Sequence, residues 1–397
     1  MSTSGPLRIL HVIPGLTRER GGPTACVRAL ARHQAAAGHR VTVLTTDQGA
    51  RHGEQREELS AGVALASAAV RGPDRLAYAP DFAALVRQHV KECDVLHVHS
   101  LFTYPVHAAL RAASAAGVRV VLRPCGLLHR YSLRRSRWRK WLYRTLWGRM
   151  VRRAVSAWHY TSKEEAADSW PWEPRPYFIL PNGIEPDEYA VDRGAARRQV
   201  ERLWPQIGRS PYVLFLGRLH SKKRLDLLLE AFLAAAPEGM RLVVAGPDEE
   251  GLWRALANRC PAAGRVVRIG TIGGAEKVAL LAGARLFALP SEHENFGIAA
   301  LEALAAGTPV LLSPHVDLAA AASAAGLADT APLETAAWRD RLAALLRDRR
   351  NRDAVAERAR GWVAEHYSWE GLAARLLRHY REVLGPAGRT SESERMA

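Results

Sequence analysis

Acidic residues, paired cysteines and long apolar runs are all scarce in this chain of 397 residues. The 40 Asp and Glu are outnumbered by 56 Lys and Arg, and the net charge of +16 predicts anionic partners such as nucleotide phosphates, nucleic acid or an anionic membrane. The four cysteines show no C-x-x-C spacing, which argues against a zinc site and fits a reducing compartment. The apolar run at 7–16 contains Arg8, His11 and Pro14 and is too short for a signal or membrane helix, so we expect a cytoplasmic protein.

The length of the chain predicts two domains, and a hydrophobic content of 48% is enough to build two cores. The run at 7–14 is typical of a strand, 25–37 of a helix and 41–46 of a second strand. This βαβ pattern indicates a parallel sheet with helices on both faces. Asn182-Gly183, directly after Pro181, is a turn signal, and a stretch rich in charge follows it at 191–209.

Two glycines, Gly21 and Gly22, open the first helix, where backbone N–H groups could approach a diphosphate. By spacing alone, an ordinary helix start is the more common explanation.

His97 and His99 lie on one face of a predicted strand at 94–99, because side chains alternate along a strand. A His-x-His pair can bind metal, but no third ligand stands at a suggestive spacing, so we predict that there is no metal site. Two half-buried histidines at a strand end are as good an interpretation as a functional role for His99.

The segment from Arg130 to Arg153 contains ten Lys or Arg and no acid, interleaved with Trp and Tyr. Basic side chains favour anionic headgroups and indole rings favour the membrane interface, so the pattern predicts a helix that docks on a membrane. A solvated basic surface and a groove for single-stranded nucleic acid are the alternatives.

A glycine, an arginine and a lysine follow the predicted strand at 212–216. Gly217 ends the strand, Arg218 comes next, and Lys223 stands five residues later. Two cations at a strand end suit a diphosphate leaving group, whose negative charge grows as its bond breaks.

The stretch 291–310, SEHENFGIAALEALAAGTPV, follows a buried apolar run and leads into an Ala- and Leu-rich helix. A turn from strand to helix is where α/β proteins bind ligands, because free N–H groups and the helix dipole point outward. Gly297 allows a close approach of the backbone to phosphate, and Glu294 and Glu302 stand on either side of it. A helix with a surface glutamate at each end would be the plain alternative for two isolated glutamates.

Together these motifs resemble the retaining, nucleotide-sugar-dependent glycosyltransferases of the large Glu-x7-Glu family, glycosyl transferases group 1, in particular the members that build exopolysaccharide and lipopolysaccharide. The resemblance runs from about Leu7 to Leu384. It implies an α/β protein of the GT-B class, with two doubly wound Rossmann-like domains that face each other across a cleft. The acceptor domain would span 1–186 and the donor domain 187–367. A C-terminal helix at about 368–385 would pack back on the first domain, before a disordered tail at 386–397.

The resemblance also implies roles for single residues. Arg218 and Lys223 would hold the diphosphate, Glu294 would bind and orient the donor sugar, and Glu302 would hold the ribose. Glu294, Arg218 and Lys223 are thus the predicted catalytic residues. The other predicted donor-binding residues are Gly22, Thr271, Ile272, Asn295, Phe296 and Gly297, with Thr271 and Ile272 beside the nucleobase.

On the acceptor side, the resemblance points to His99, Cys125 and Gly126. Many relatives have a histidine at the position of Cys125, and this departure puts the role of the position in question. Nothing in the sequence supplies a base beside Cys125, so we do not predict a nucleophile.

The expected reaction moves a sugar from a nucleoside diphosphate, UDP or GDP, to a hydroxyl of a glycan or lipid-linked acceptor, with retention at the anomeric carbon. The sequence contains no Asp-x-Asp, which fits a site that requires no metal and no cofactor. The expected partners are the nucleotide-sugar, the acceptor and the inner face of the cytoplasmic membrane, through Arg130 to Arg153, and no nucleic acid. A non-catalytic partner subunit and a sugar-nucleotide epimerase of the same fold remain as alternatives.

Overall fold

The computed structural model describes residues 5–17, 22–49, 59–129, 137–169, 176–257, 264–348 and 352–385. The chain divides into two compact units, the first formed by 1–182 with 369–397 and the second by 183–368. The sequence predicts boundaries after 186 and 367, whereas the structure divides the chain after Asn182 and Ser368. The predicted tail at 386–397, residues 130–136 of the basic segment and Gly21 lie outside the described residues.

Unit 1 is built around a parallel sheet of seven strands. These are β1 (Arg8–Gly15), β2 (Arg40–Thr46), β3 (Val63–Ala68), β4 (Val95–His99), β5 (Arg119–Arg123), β6 (Ala157–Tyr160) and β7 (Tyr177–Ile179), in the spatial order β3-β2-β1-β4-β5-β6-β7. The helices between them are α1 (Gly22–Ala36), α2 (Phe82–Val90), α3 (Tyr104–Ala116), α4 (Arg137–Ala154) and α5 (Lys163–Asp168). All five residues of β4 are buried, as expected for a parallel strand covered on both faces.

Unit 2 repeats this plan with a parallel sheet of six strands. These are β8 (Tyr212–Leu216), β9 (Arg241–Ala245), β10 (Val266–Ile269), β11 (Leu286–Leu289), β12 (Val310–Leu312) and β13 (Ala328–Thr330), in the order β10-β9-β8-β11-β12-β13. Its helices are α6 (Arg193–Leu203), α7 (Leu225–Ala235), α8 (Leu252–Ala257), α9 (Gly274–Gly283), α10 (Ile298–Ala305), α11 (Asp317–Ala324), α12 (Thr335–Arg347) and α13 (Arg352–Tyr367).

The last helix, α14 (Trp369–Leu384), belongs to unit 1, although unit 2 precedes it in the chain. It buries Trp369, Leu372, Leu376 and Tyr380, a spacing that puts one apolar stripe of the helix into the core of unit 1. The sequence pattern predicts a helical stretch from 354 to 384 with an interruption at 367–370, and the break between α13 and α14 confirms it.

None of the helices within the described ranges has both the length and the apolar character needed to cross a membrane.

Candidate active site

The order of strands in unit 2 indicates where a ligand would bind. From β8 the chain adds β9 and β10 on one side, and from β11 it adds β12 and β13 on the other. The order in which strands are added therefore reverses between β8 and β11, although these two strands are parallel. Open parallel sheets bind ligands outside the carboxyl ends of the strands at such a reversal. Arg218 and Lys223 follow β8, and Glu294 to Gly297 follow β11. Two motifs that are about 75 residues apart in sequence therefore meet at one edge of the sheet.

Lys223 and Glu294 are in direct contact through the ammonium group and Oε2 of the carboxylate. Their side chains are only 12% and 22% exposed, so the pair lies largely out of water. Burial, together with Lys222 and Arg218 nearby, lowers the pKa of Lys223 to about 7, and the adjacent carboxylate opposes this shift. The structure thus places a largely buried lysine against the first predicted glutamate. An anionic ligand at this point would raise the pKa of Lys223 and so favour its positively charged form.

Arg218 is more exposed than Lys223. Its side chain is 54% exposed, and its closest acid is Glu249 at 3.8 Å, a pair that solvent weakens strongly. The guanidinium is therefore able to move toward a ligand at the end of β8.

A close backbone contact holds the loop that carries Arg218. Gly217 donates its N–H to Ala245 O at 3.0 Å, and Gly246 lies against the Gly217 carbonyl. A Cβ atom on Gly246 would come within 2.1 Å of that oxygen, so only glycine fits there.

The turn after β11 is fixed by its backbone. Glu294 donates its N–H to His315 O at 3.0 Å and accepts from Asp317 N at 3.3 Å. Gly297 has a φ of 94°, and a Cβ atom there would lie 2.6 Å from Val316 Cγ1. The ring of Phe296 is buried in the core, while Asn295 is half-buried. The side chain of Phe296 therefore serves packing, and its backbone is the part that could face a ligand.

Glu302 is held by two residues that sequence reasoning did not select. Its Oε1 accepts a hydrogen bond from the Tyr189 hydroxyl at 2.9 Å and contacts Lys277 Nζ at 2.6 Å. An open pocket of about 500 Å³ borders this group, lined by Tyr189, Lys277, Asp192, Gln199 and Gly274 among others. No spacing rule connects Tyr189 with Glu302, because 113 residues separate them and only the fold brings them together.

Thr271 and Ile272 follow β10, which is the edge strand of the sheet, two strands away from β8. Thr271 is exposed, and Ile272 packs partly against the core of unit 2. The structure leaves this pair at the periphery of the sheet.

In unit 1 the reversal lies between β1 and β4. Gly22 is the first residue of α1, which follows β1, and His99 is the last residue of β4. Cys125 and Gly126 follow β5, the neighbour of β4. Each of these predicted residues is thus at the carboxyl edge of the sheet, where a ligand would bind.

The structure adds a third histidine, His11, to the predicted His97 and His99. Nitrogen atoms of the three rings lie within 4.8 Å of one another, and all three residues are buried. His11 lies opposite His97 on the neighbouring strand, a proximity that no local spacing reveals. His11 Nδ1 is 3.0 Å from His99 Nε2, and His11 Nε2 is 2.8 Å from Gln34 Oε1. Independence from metal stays a prediction.

A second hydrogen-bond chain fixes the proton positions of His97 and His159. His159 Nε2 is 2.9 Å from Leu180 O, and because a carbonyl can only accept, this nitrogen carries the hydrogen. His159 Nδ1 then accepts from His97 Nε2 at 3.2 Å, and His97 Nδ1 accepts from the Tyr380 hydroxyl at 2.7 Å. Burial lowers the pKa of both histidines well below the usual value, so both are neutral.

Cys125 lies in a strained turn and is not activated. Burial raises the pKa of its thiol to about 11, so the sulfur stays protonated at neutral pH. Its φ is 53°, and Ser100 and Phe102, which follow β4, also have positive φ values of 88° and 64°. Such conformations in non-glycine residues concentrate at functional sites.

Helix α4 carries the described part of the basic segment and has an unusual exposed face. Trp138, Trp141, Leu142 and Leu146 are 65%, 58%, 40% and 57% exposed, and their spacing puts them on one side of the helix. On the other side, Tyr143 is buried with its ring 4.7 Å from that of Phe102. The helix therefore packs on unit 1 with one apolar face and presents a second apolar face to solvent.

Two family descriptions match the chain. Glycosyl transferases group 1 matches residues 202–362, and Glycosyl transferase 4-like domain matches residues 21–183. The GDP-mannose:cellobiosyl-diphosphopolyprenol alpha-mannosyltransferase of Komagataeibacter xylinus is 30% identical over 405 residues, which cover 96% of this chain and 94% of that protein. The protein of the same name from Xanthomonas campestris is 27% identical over 410 residues, which cover 98% of this chain and 100% of that protein.

Solved structures share the fold. HepE of Anabaena in complex with UDP and glucose matches with a TM-score of 0.75 at 17% identity, covering 94% of this chain and 99% of that one. WaaG, a glycosyltransferase involved in lipopolysaccharide biosynthesis, matches with a TM-score of 0.69 at 22% identity, covering 93% of this chain and 99% of that one. At these identities the likeness concerns the fold alone, and it confirms the predicted GT-B architecture of two doubly wound units.

Proposed function

We propose a retaining transfer of a sugar from a nucleoside diphosphate, starting from the fact that this chain belongs to the glycosyl transferases group 1 family and is a glycosyltransferase. The observation that carries the proposal is the contact of Lys223 with Glu294 at the strand reversal of unit 2. A cation beside a carboxylate at that edge can bind a diphosphate and a sugar hydroxyl at neighbouring points.

Each residue then has one task. Lys223 and Arg218 bind the diphosphate and stabilise the charge that it gains as the glycosidic bond breaks. Glu294 accepts hydrogen bonds from hydroxyls of the donor sugar and orients it. Glu302, held by Tyr189 and Lys277, accepts from the ribose hydroxyls. The acceptor hydroxyl attacks on the face of the leaving group, and its proton passes to the departing phosphate. No metal ion is needed for any of these steps.

The donor test begins with the nucleotides that the similar proteins suggest. GDP-mannose appears in the name of two relatives, and HepE was solved with UDP and glucose. We expect calorimetric titration with GDP, UDP, ADP and dTDP to single out one nucleotide, with binding that weakens in Glu302→Ala and persists in EDTA. Arg218→Ala should lower turnover more than it lowers donor affinity. If no nucleotide binds and no sugar is transferred, the proposal is wrong.

The acceptor is proposed to be a glycan or a lipid-linked sugar used for cell-surface polysaccharide, and the protein is proposed to reach it on the inner face of the cytoplasmic membrane. The exposed indoles of Trp138 and Trp141 on α4 support this, because indole rings favour the membrane interface. Arg149 and Arg153, also exposed on α4, would meet anionic headgroups.

Vesicle flotation tests the membrane part separately. The protein should float with vesicles that contain phosphatidylglycerol and much less with pure phosphatidylcholine, and salt should weaken the binding. The Trp138→Ser/Trp141→Ser variant should lose most of it, whereas Tyr177→Ser, which removes a ring that is 60% exposed on β7, should not. Binding to oligonucleotides but not to vesicles would favour a nucleic-acid surface instead.

A further inference from the structure

Glu165 is a buried carboxylate with no task in the reaction described above. It is fully buried and is the third residue of α5, whose N-terminus is capped by Ser162. Ser162 Oγ accepts the Glu165 N–H at 2.8 Å. In the usual capping box, a glutamate at this position returns its side chain to the backbone of the capping residue. Here the carboxylate bonds to other groups.

The two carboxylate oxygens bridge the ends of two strands. Oε2 accepts from the N–H and the hydroxyl of Thr161, both at 2.7 Å, directly after β6. Oε1 accepts the N–H of Gly126 at 2.6 Å, in the turn after β5. Within the described ranges, no lysine or arginine makes an ion pair with Glu165. A buried carboxylate costs several kcal/mol unless strong hydrogen bonds and nearby positive charge offset it, so these three bonds act together with the buried Arg123, whose pKa the Glu165 charge helps to raise.

The turn that Glu165 holds is strained. Cys125 and Gly126 have consecutive positive φ values of 53° and 74°. A left-handed conformation costs a non-glycine residue about 1 kcal/mol or more. The Leu127 N–H closes the turn on Pro124 O at 3.1 Å, and the bond from Gly126 to Glu165 anchors the turn to α5. The other residues at this edge with the same strain, Ser100 and Phe102, follow β4, next to the strand reversal.

We infer that Glu165 is a positioning residue for the acceptor: by binding the Gly126 N–H it holds the turn at Cys125 and Gly126 in the shape that meets the acceptor sugar. This inference rests on the proposed function. Because the N–H of Gly126 is bonded to Glu165, Gly126 contributes the shape of the turn and does not donate a hydrogen bond to the ligand. Apart from Gly22, the predicted donor residues lie in unit 2, and Glu165 bonds to none of them, so we expect the effect to fall on the acceptor.

Glu165→Gln tests the inference with little change in size. It replaces one accepting oxygen with an NH₂ group that cannot accept from Gly126 or Thr161. We expect kcat/KM for the acceptor to fall about tenfold or more, while the nucleotide Kd and the hydrolysis of donor without acceptor change less than about twofold. Thr161→Val removes one donor to Glu165 but not the bond to Gly126, and it should cost less than about threefold.

Amide hydrogen exchange supplies a measurement that does not depend on transfer. The peptide that contains Gly126 should exchange faster in Glu165→Gln than in the parent protein, and peptides of unit 2 should not change. Unchanged exchange at Gly126, or acceptor kinetics equal to those of the parent, would overturn the inference. An equal loss of nucleotide binding would do so too, since it would mean a general loss of structure. If the parent protein transfers no sugar, the proposed function fails, and the exchange experiment alone decides whether Glu165 holds the turn.

Discussion

The hydroxyl of Tyr189 donates a 2.9 Å hydrogen bond to Oε1 of Glu302, the same oxygen that Lys277 contacts at 2.6 Å. Both contacts involve one oxygen, and within the described residues Oε2 has no hydrogen-bond partner. The second oxygen is therefore the one that can accept from a ligand hydroxyl, while Tyr189 and Lys277 fix the plane of the carboxylate.

Tyr189→Phe should weaken nucleotide binding less than Glu302→Ala does. Glu302→Ala removes the hydrogen bonds of a charged group to the ribose and should raise the Kd about 10- to 100-fold. Tyr189→Phe leaves the carboxylate in place but less well oriented, and should raise the Kd about 3-fold. Calorimetry on the two variants and on the parent measures the difference. Equal losses would mean that Tyr189 touches the ligand or that the site has collapsed.

The pKa of Lys223 predicts that nucleotide binding depends on pH. Burial lowers this pKa to about 7 in the free protein, and a bound diphosphate raises it, because negative charge favours the ammonium form. Binding then takes up a proton, so affinity is greatest below pH 7 and falls by up to about tenfold per pH unit above it. Calorimetry in two buffers of different ionisation enthalpy measures how many protons are taken up when the nucleotide binds.

Lys223→Arg is the control for this effect, because an arginine stays charged throughout the range. Its affinity for the nucleotide should be nearly flat above pH 7. A parent protein whose affinity is constant from about pH 7 to 9 would show that Lys223 is already fully charged when free.

The sequence predicts much of the fold because its signals are local. Apolar runs locate β4 and β8, and the break between α13 and α14 falls at the predicted interruption at 367–370. The pairing of β8 with β11 at the reversal in unit 2 then brings Lys223 to Glu294, since each residue follows one of these two strands. Motifs at strand ends are predictable for this reason.

Contacts between distant side chains are not predictable in this way. Tyr189 with Glu302, and His11 with His97, meet only because strands and helices far apart in sequence become neighbours. Glu165 marks a helix start in the sequence, and its bond to Gly126 depends on β5 and β6 pairing side by side. Nor does a sequence show that Phe296 is buried, because aromatic residues serve cores and ligand sites alike.

Gly297 should be irreplaceable, and Gly361 provides a matched comparison. Alanine at 297 would have to adopt a φ of 94° with its Cβ 2.6 Å from Val316, so we expect a loss of stability of about 2 kcal/mol or more and weaker nucleotide binding. Alanine at 361, inside α13 with nothing within 4 Å, should stabilise by about 0.5–1 kcal/mol. Thermal unfolding of the two variants should show changes in stability of opposite sign. A neutral Gly297→Ala would mean that the turn after β11 is pliable.

The buried histidines predict that acid destabilises unit 1. Burial lowers the pKa of His11 to about 4 in the folded chain, against about 6.5 when unfolded, and lowers the pKa of His97, His99 and His159 well below that value. Below pH 6.5 the unfolded chain therefore binds protons that the folded chain does not. The free energy of unfolding should fall by up to about 1.4 kcal/mol per pH unit for each histidine, and for His11 this loss ends near pH 4.

Urea unfolding followed at several pH values measures this slope. His11→Gln removes one of the histidines whose pKa is lowered while keeping a polar side chain beside Gln34 and His99, so it should lower stability at neutral pH yet show a shallower decline toward acid. A parent protein equally stable at pH 7 and pH 5 would contradict the prediction, since the folded and unfolded states would then bind the same number of protons.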